Sequence, residues 1–284
     1  MMEYTDTVNK ENGAKPIMRP QVESGLELFA RVNANTKPRL CGFENTLFPD
    51  GLRNIDVIEI GGERSTGKTL LLSQILAKCI LPDHYRTIRI QGLDASVILI
   101  NTDHHFQTLK LVELMNGVID AANQASATRV TKGLNLDKTS VIQESLRNLN
   151  IIDCYNSEQF SLTLRTLDDV FINNTKIVVL AIDSITAYYW EDREANMIKY
   201  NNYVKELLQL IKSHTTLFNI LTIYTTCSEN TCNKKKQILH NVDYKLQLSK
   251  TDNSNRFLCT LQTEGNMKKL HYSISSSGIK WKLD

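Results

Sequence analysis

The sequence predicts an α/β fold: a mainly parallel sheet flanked by helices and extended by C-terminal β-hairpins. Three observations predict it. The octapeptide Gly62-Glu63-Arg64-Ser65-Thr66-Gly67-Lys68-Thr69 fits the phosphate-loop pattern G-x-x-x-x-G-K-S/T, set between an apolar strand and a helix-forming run. Stretches of strand character then alternate with stretches of helical period as far as Tyr224. After Tyr224 short strands follow one another, joined by polar turns.

Residues 1–21 are polar, carry Pro16 and Pro20, and read as a disordered tail. Val22 to Val32 reads as a short amphipathic helix, and a polar linker with Pro38 and Pro49 completes a segment 22–49. The core is expected over 50–284. Ile55 to Ile60 is its first strand, and Thr69 to Cys79, free of Gly and Pro, the helix behind the loop. Val97–Thr102, Leu149–Asp153, Lys176–Asp183 and Leu217–Tyr224 read as further strands. Phe160, Leu164, Leu167 and Phe171 share one helical face with Ser157 placed to cap, and Met197, Tyr200, Val204, Leu207 and Ile211 share another. Residues 116–148 are polar and weakly patterned, which predicts a loop-rich insertion around one helix. Tyr244–Leu248, Arg256–Gln262 and Leu270–Ser275 are the expected hairpin strands, widening one edge of the sheet.

Composition narrows the class of protein. A hydrophobic content of 42% is globular, and no apolar run approaches the ~20 residues of a membrane span. The first residues lack the apolar centre of a signal peptide, so an intracellular protein is expected. Six cysteines include no C-x-x-C pair, and they read as reduced, mostly buried thiols. A net charge of +2 does not mark a nucleic-acid-binding domain, so any such contact requires a local patch.

The chemistry follows from the loop. Gly62 and Gly67 let the backbone turn toward phosphates, so that N–H groups from Glu63, Arg64, Ser65 and Thr66 and the following helix N-terminus face negative charge. Lys68 reaches the β- and γ-phosphates and the Thr69 hydroxyl ligates Mg²⁺. Ile177-Val178-Val179-Leu180-Ala181-Ile182-Asp183 is an apolar strand ending in a carboxylate, a second magnesium-holding element. Asp103, at the end of strand 97–102, is the candidate for positioning an attacking water, and a helix N-cap is its plainer role. His104 and His105 read as surface residues of that turn. A small-molecule phosphotransferase would need a lid rich in arginine, and residues 191–240 hold only Arg193.

Four strings together resemble the RecA-like recombinases, and within them the eukaryotic recombination paralogues of the X-ray repair cross-complementing paralogue two type. They are Glu23-Ser24-Gly25-x-Glu27-Leu28-x-Ala30-Arg31, Ala77-Lys78-Cys79-Ile80-Leu81-Pro82, Thr102-Asp103-His104-His105-Phe106 and Leu180-Ala181-Ile182-Asp183-Ser184-Ile185-Thr186-Ala187-Tyr188-Tyr189-Trp190. The likeness covers roughly residues 22–230. It implies a RecA-like P-loop core that binds ATP and Mg²⁺ and acts in the nucleus. It further implies a hetero-oligomer with other RecA-like paralogues in homologous recombination, on single-stranded or branched DNA. Only about fifty residues precede the first core strand, so the helical N-terminal domain of full-length recombinases is not expected.

The likeness also has two departures. Asp103 stands where active relatives carry Glu, one methylene longer, and a misplacement of about 1 Å can cost ~10²-fold in rate. Cys227 stands where they carry a γ-phosphate-sensing Gln, and a thiol offers no amide donor. Weak or absent hydrolysis is therefore expected, with DNA-stimulated turnover as the alternative. In the resemblance, loops 191–199 and 228–241 hold DNA. Lys234, Lys235 and Lys236 suit phosphate contact and equally suit a solvated loop. Leu26, Leu28 and Phe29 suit either packing on the chain's own core or anchoring a partner.

Overall fold

The computed structural model describes residues 24–34, 37, 40, 44–86, 88–127, 137–227, 242–252 and 256–282. The expected tail 1–21 and the lysines Lys234, Lys235 and Lys236 lie outside the described residues. The first helix, α1 (Gly25–Ala34), opens with a reciprocal capping box. Ser24 Oγ accepts from the Glu27 amide at 3.2 Å, and the Glu27 carboxylate accepts from the Ser24 amide at 2.6 Å.

The core begins with β1 (Val57–Gly62), the phosphate loop and α2 (Lys68–Ile80). A two-residue ladder, β2 (His84–Tyr85) with β3 (Ile88–Arg89), precedes β4 (Ser96–Asn101). Then come α3 (Thr108–Ala127), α4 (Lys138–Leu146), β5 (Leu149–Asp153), α5 (Ser157–Arg165) and α6 (Leu167–Asn173). The Asp-ended strand is β6 (Ile177–Asp183), followed by α7 (Tyr189–Asn196), α8 (Tyr200–Thr215) and β7 (Leu221–Cys227). The chain closes on β8 (Tyr244–Lys250), β9 (Phe257–Thr263), β10 (Asn266–Ser275) and β11 (Gly278–Lys282).

The strands join in one nine-stranded sheet of order β11-β10-β9-β8-β1-β7-β6-β4-β5. From β8 to β5 the pairings are parallel, and from β8 outward to β11 they are antiparallel. The expected fold class is therefore the one observed. Parallel strands covered on both faces read as continuous apolar runs, and β4 and β6 are buried throughout. One core sets Ile58 and Ile60 of β1 against Leu71, Ile75, Leu111, Met115 and Val141. The other sets Ile98, Ile182 and Tyr224 against Phe160, Phe171, Leu208 and Ile211. Leu40, Leu47 and Phe48, ahead of residue 50, are buried in the first of these cores.

Several local expectations are corrected. The stretch 116–148 is not loop-rich where it is described: α3 runs to Ala127 and α4 starts at Lys138, its amino end capped by Asp137 accepting from the Ser140 amide at 3.2 Å. Leu111, Leu114, Met115 and Ile119 bury one face of α3, a helical stripe diluted in the sequence by Gly117 and the polar outer face. Asn156, not Ser157, caps α5, accepting from the Gln159 amide at 2.8 Å. The Phe160–Phe171 stripe is split in two at Thr166, whose hydroxyl bonds the Leu162 and Thr163 carbonyls at 3.1 and 3.2 Å. Met197 lies outside α8, 92% exposed, with left-handed backbone at the end of α7. The strand expected from Leu217 starts at Leu221, because residues 216–219 turn and Asn219 has φ 51°.

Candidate nucleotide-binding site

β1 delivers the loop at the carboxyl edge of the parallel strands, and α2 leaves from it. Gly67 takes φ 88° as the residue capping α2, and Ser65 takes φ 61°. Both left-handed residues make the chain wrap back on itself, which turns successive N–H groups to one side. Gly62 is tight for a different reason: a Cβ there would lie 2.5 Å from the carbonyl oxygen of Leu248. Thr66 is buried and its hydroxyl donates to the Glu63 carbonyl at 2.8 Å. Glu63, Arg64 and Ser65 are exposed at the loop tip. The Lys68 ammonium folds across the loop, donating to the Gly62 and Glu63 carbonyls at 3.0 and 2.9 Å.

The order β1-β7-β6-β4 brings the acids to the loop. Asp183 is 2% exposed at the end of β6. Its Oδ1 accepts from the Thr225 hydroxyl of β7 at 2.5 Å, and its Oδ2 is buried with no protein partner. An orphaned carboxylate oxygen is costly unless a cation or donor completes it. Asp103 follows β4, its amide donating to the Asp183 carbonyl at 3.0 Å. Although Asp103 is exposed overall, its carboxyl is held above the usual carboxylate range, first by lost hydration and then by the nearby charge of Asp183. His105, Lys68 and His104 act against that rise, so Asp103, Asp183 and Lys68 share one electrostatic neighbourhood.

The Thr69 hydroxyl and the Asp183 carboxylate would both offer hard oxygen, the donor type that suits Mg²⁺ completed by phosphate oxygens and water. Among the described residues no group of three or more His, Cys, Asp or Glu gathers as a protein-only metal cage. ATP·Mg thus fits the residues present. Bound there, magnesium would neutralise phosphate charge. The protein's own part would then be to cradle the phosphates on backbone N–H groups, hold the ammonium of Lys68 at hand and keep Asp183 dry.

The remaining candidates divide. Cys227 pairs in register with Gly62, so the thiol-bearing end of β7 lies beside the first loop glycine. His104 stacks on Tyr155 with ring centroids 4.6 Å apart, at the carboxyl ends of β4 and β5. Leu26 packs against the second core, whereas Leu28 and Phe29 are 47% and 38% exposed. Two site residues escaped sequence reasoning, Thr225 and Tyr272. Thr225 sits in a polar strand end, Thr225-Thr226-Cys227, unusual in a buried strand and visible in the sequence. Tyr272 comes from the C-terminal hairpin, and its hydroxyl donates to the Thr66 carbonyl at 2.7 Å.

No family model matches the chain. It is 28% identical over 213 residues to the DNA repair protein XRCC2 of Mus musculus, which spans 73% of this chain and 69% of that one. The chain is homologous to XRCC2 and to RadA. It also matches the DNA repair protein XRCC2 homolog of Arabidopsis thaliana, 26% identical over 178 residues, and the DNA repair and recombination protein RadA of Methanoculleus marisnigri, 22% over 174 residues. These cover 56% and 58% of the chain and 48% of each relative, so the chain spans about two thirds of the mouse XRCC2 and about half of the other two. The resemblance to RecA-like recombinases of the XRCC2 type is borne out by these matches.

Proposed function

We propose that this chain is an ATP-binding accessory subunit of a recombinase-paralogue complex that acts in homologous recombination repair of DNA double-strand breaks. Homology to XRCC2 and RadA supports a DNA-repair role related to the RecA recombinases. The observation that carries ATP·Mg binding is the orphaned Asp183 Oδ2, buried at the strand end beside the phosphate-loop neighbourhood of Lys68. Gly62 through Thr69 would hold the phosphates, and Thr69 with Asp183 the Mg²⁺. The exposed Leu28 and Phe29 suit contact with another RecA-like paralogue, with Leu26 anchoring α1 on its own core. Lys234, Lys235 and Lys236 suit contact with single-stranded or branched DNA, and the repair role implies the nucleus. No described helix is long and apolar enough to cross a membrane. In this reading residues 50–284 form the ATPase core, 22–49 a helix and a linker whose Leu40, Leu47 and Phe48 pack into that core, and 1–21 a tail.

Recovery of the tagged chain from nuclear extract tests the proposal. Stoichiometric RecA-like partners are expected, and a chain recovered alone would count against an accessory role. A second reading, DNA-stimulated turnover, draws on the position of Asp103 beside Asp183. It requires phosphate release that rises with single-stranded DNA and vanishes in Asp103→Asn.

A further inference from the structure

The hairpin β10–β11 reaches back onto the phosphate loop. Tyr272 is fully buried, stacked on Phe257 at 5.2 Å and tilted against Trp281 at 5.5 Å, and its hydroxyl meets the Thr66 carbonyl. A loop that turns N–H groups toward phosphate turns carbonyls away from it, and a buried carbonyl requires a donor. Thr66 lies between the left-handed residues Ser65 and Gly67, so this bond holds the least relaxed part of the loop. The same hairpin covers Gly67: a Cβ there would lie 3.1 Å from Ile274 Cδ1 and 3.5 Å from Ile279 Cδ1. Its turn is docked independently. Gln74 of α2 accepts from the Ile279 amide at 2.8 Å and donates to the Ile279 carbonyl at 3.3 Å, and Lys110 of α3 donates to the Ser276 carbonyl at 2.7 Å. Gly278, with φ 104°, has no room for a Cβ, because Gln74 Oε1 would be 2.6 Å away.

We infer that the C-terminal hairpin braces the phosphate loop, and that Tyr272 is a positioning residue for phosphate binding that acts through the Thr66 carbonyl. The ligand in this statement rests on the nucleotide-binding proposal, while the brace rests on the contacts alone. A loop held in shape before phosphate arrives has less order to acquire on binding.

Tyr272→Phe keeps the ring and its stacking and removes only the hydroxyl. Hydrogen exchange of the loop peptide 62–69 in the ligand-free full chain is expected to accelerate at least about threefold, for one lost bond. Titration with ATP and with inorganic tripolyphosphate is expected to weaken about fivefold to tenfold for both, the worth of one buried hydrogen bond. Gln74→Ala, which frees the turn and leaves Tyr272 intact, shifts both readouts the same way by less. Val141→Ala, on α4, serves as the control, since it lowers the melting temperature from a helix that packs on α3. Unchanged loop exchange in Tyr272→Phe overturns the brace, as does an equal loss of ATP affinity in Val141→Ala at matched melting temperature. Unchanged affinity with accelerated exchange overturns the positioning role. Should the unaltered chain bind neither ATP nor tripolyphosphate, the nucleotide-binding proposal fails, and the exchange of 62–69 decides the brace by itself.

Discussion

Lys245→Met probes the polar floor beneath the phosphate loop. Glu59 of β1 and Lys245 of β8 are register partners, with Nζ and Oε1 3.1 Å apart and side chains 14% and 18% exposed. Glu59 also accepts from the Tyr224 hydroxyl at 3.2 Å and from the Thr226 hydroxyl at 3.4 Å. Gly61 packs directly above: a Cβ on it would lie 2.9 Å from Gln247 Oε1 and 3.4 Å from Glu59 Oε1. Removing the ammonium leaves a mostly buried carboxylate with two neutral donors. Breaking a buried ion pair costs about 3–5 kcal/mol. The residual exposure and the two surviving hydrogen bonds lower that to about 2–3 kcal/mol here. For a domain of this size the melting midpoint falls by about 5–10 °C. Glu59→Gln combined with Lys245→Met removes both charges; the amide oxygen still accepts from one of the two hydroxyls and the NH2 donates to the oxygen of the other, so most of the loss is recovered. Denaturant unfolding of the four proteins as a double-mutant cycle measures it, with a coupling of about 2 kcal/mol expected. A single variant that loses less than about 1 kcal/mol, or a double variant no more stable than Lys245→Met, refutes the reasoning.

Gly62→Ala places a methyl against the Leu248 carbonyl at 2.5 Å, a backbone atom that yields only if β8 moves, so a loss of about 3 kcal/mol is expected in thermal denaturation. A midpoint within a degree of the unaltered chain contradicts it. Asp103→Asn tests the raised carboxyl: above the ordinary value of 3.8 the folded state holds a proton that the unfolded state releases, so stability falls as pH rises through that window. The Asn variant is therefore more stable than the unaltered chain at pH 7, and the advantage disappears below about pH 3.8; a less stable variant at pH 7 counts against this account. Lys68→Ala is expected to weaken ATP binding yet leave much repair function intact, and complete loss of repair by a folded variant argues against the accessory role. Leu28→Ser should reduce co-purification of RecA-like partners with a nearly unchanged melting curve, since this side chain is 47% exposed.

The phosphate loop and β6 were legible because their chemistry is local. A glycine spacing and a buried apolar run ending in Asp183 specify backbone geometry whatever surrounds them. Only one helix was expected over 116–148, because the apolar stripe of α3 is diluted there by Gly117 and polar residues and α4 carries few apolar residues. Asn156 outcompeted Ser157 as a cap by one position, a choice set by where β5 ends, and the Ser157 hydroxyl instead donates to Asp192 at 2.6 Å. Leu26, Leu28 and Phe29 could not be sorted from sequence, since helical period alone does not say which side of a short amphipathic helix meets the core.

By itself the sequence determined the class of fold, the position of the candidate phosphate loop and the acids at the ends of β4 and β6. Those features arise from residue type and spacing within one strand or turn. Only the tertiary structure decided what surrounds them. The order β8-β1-β7-β6-β4 sets Thr225 on Asp183, Cys227 beside Gly62 and Lys245 on Glu59. The antiparallel return of β9 to β11 carries Tyr272 to the carbonyl of Thr66, 206 residues earlier in the chain. Such pairings depend on strand order and register, which are settled by the burial of both sheet faces together and leave no mark in the sequence of either partner.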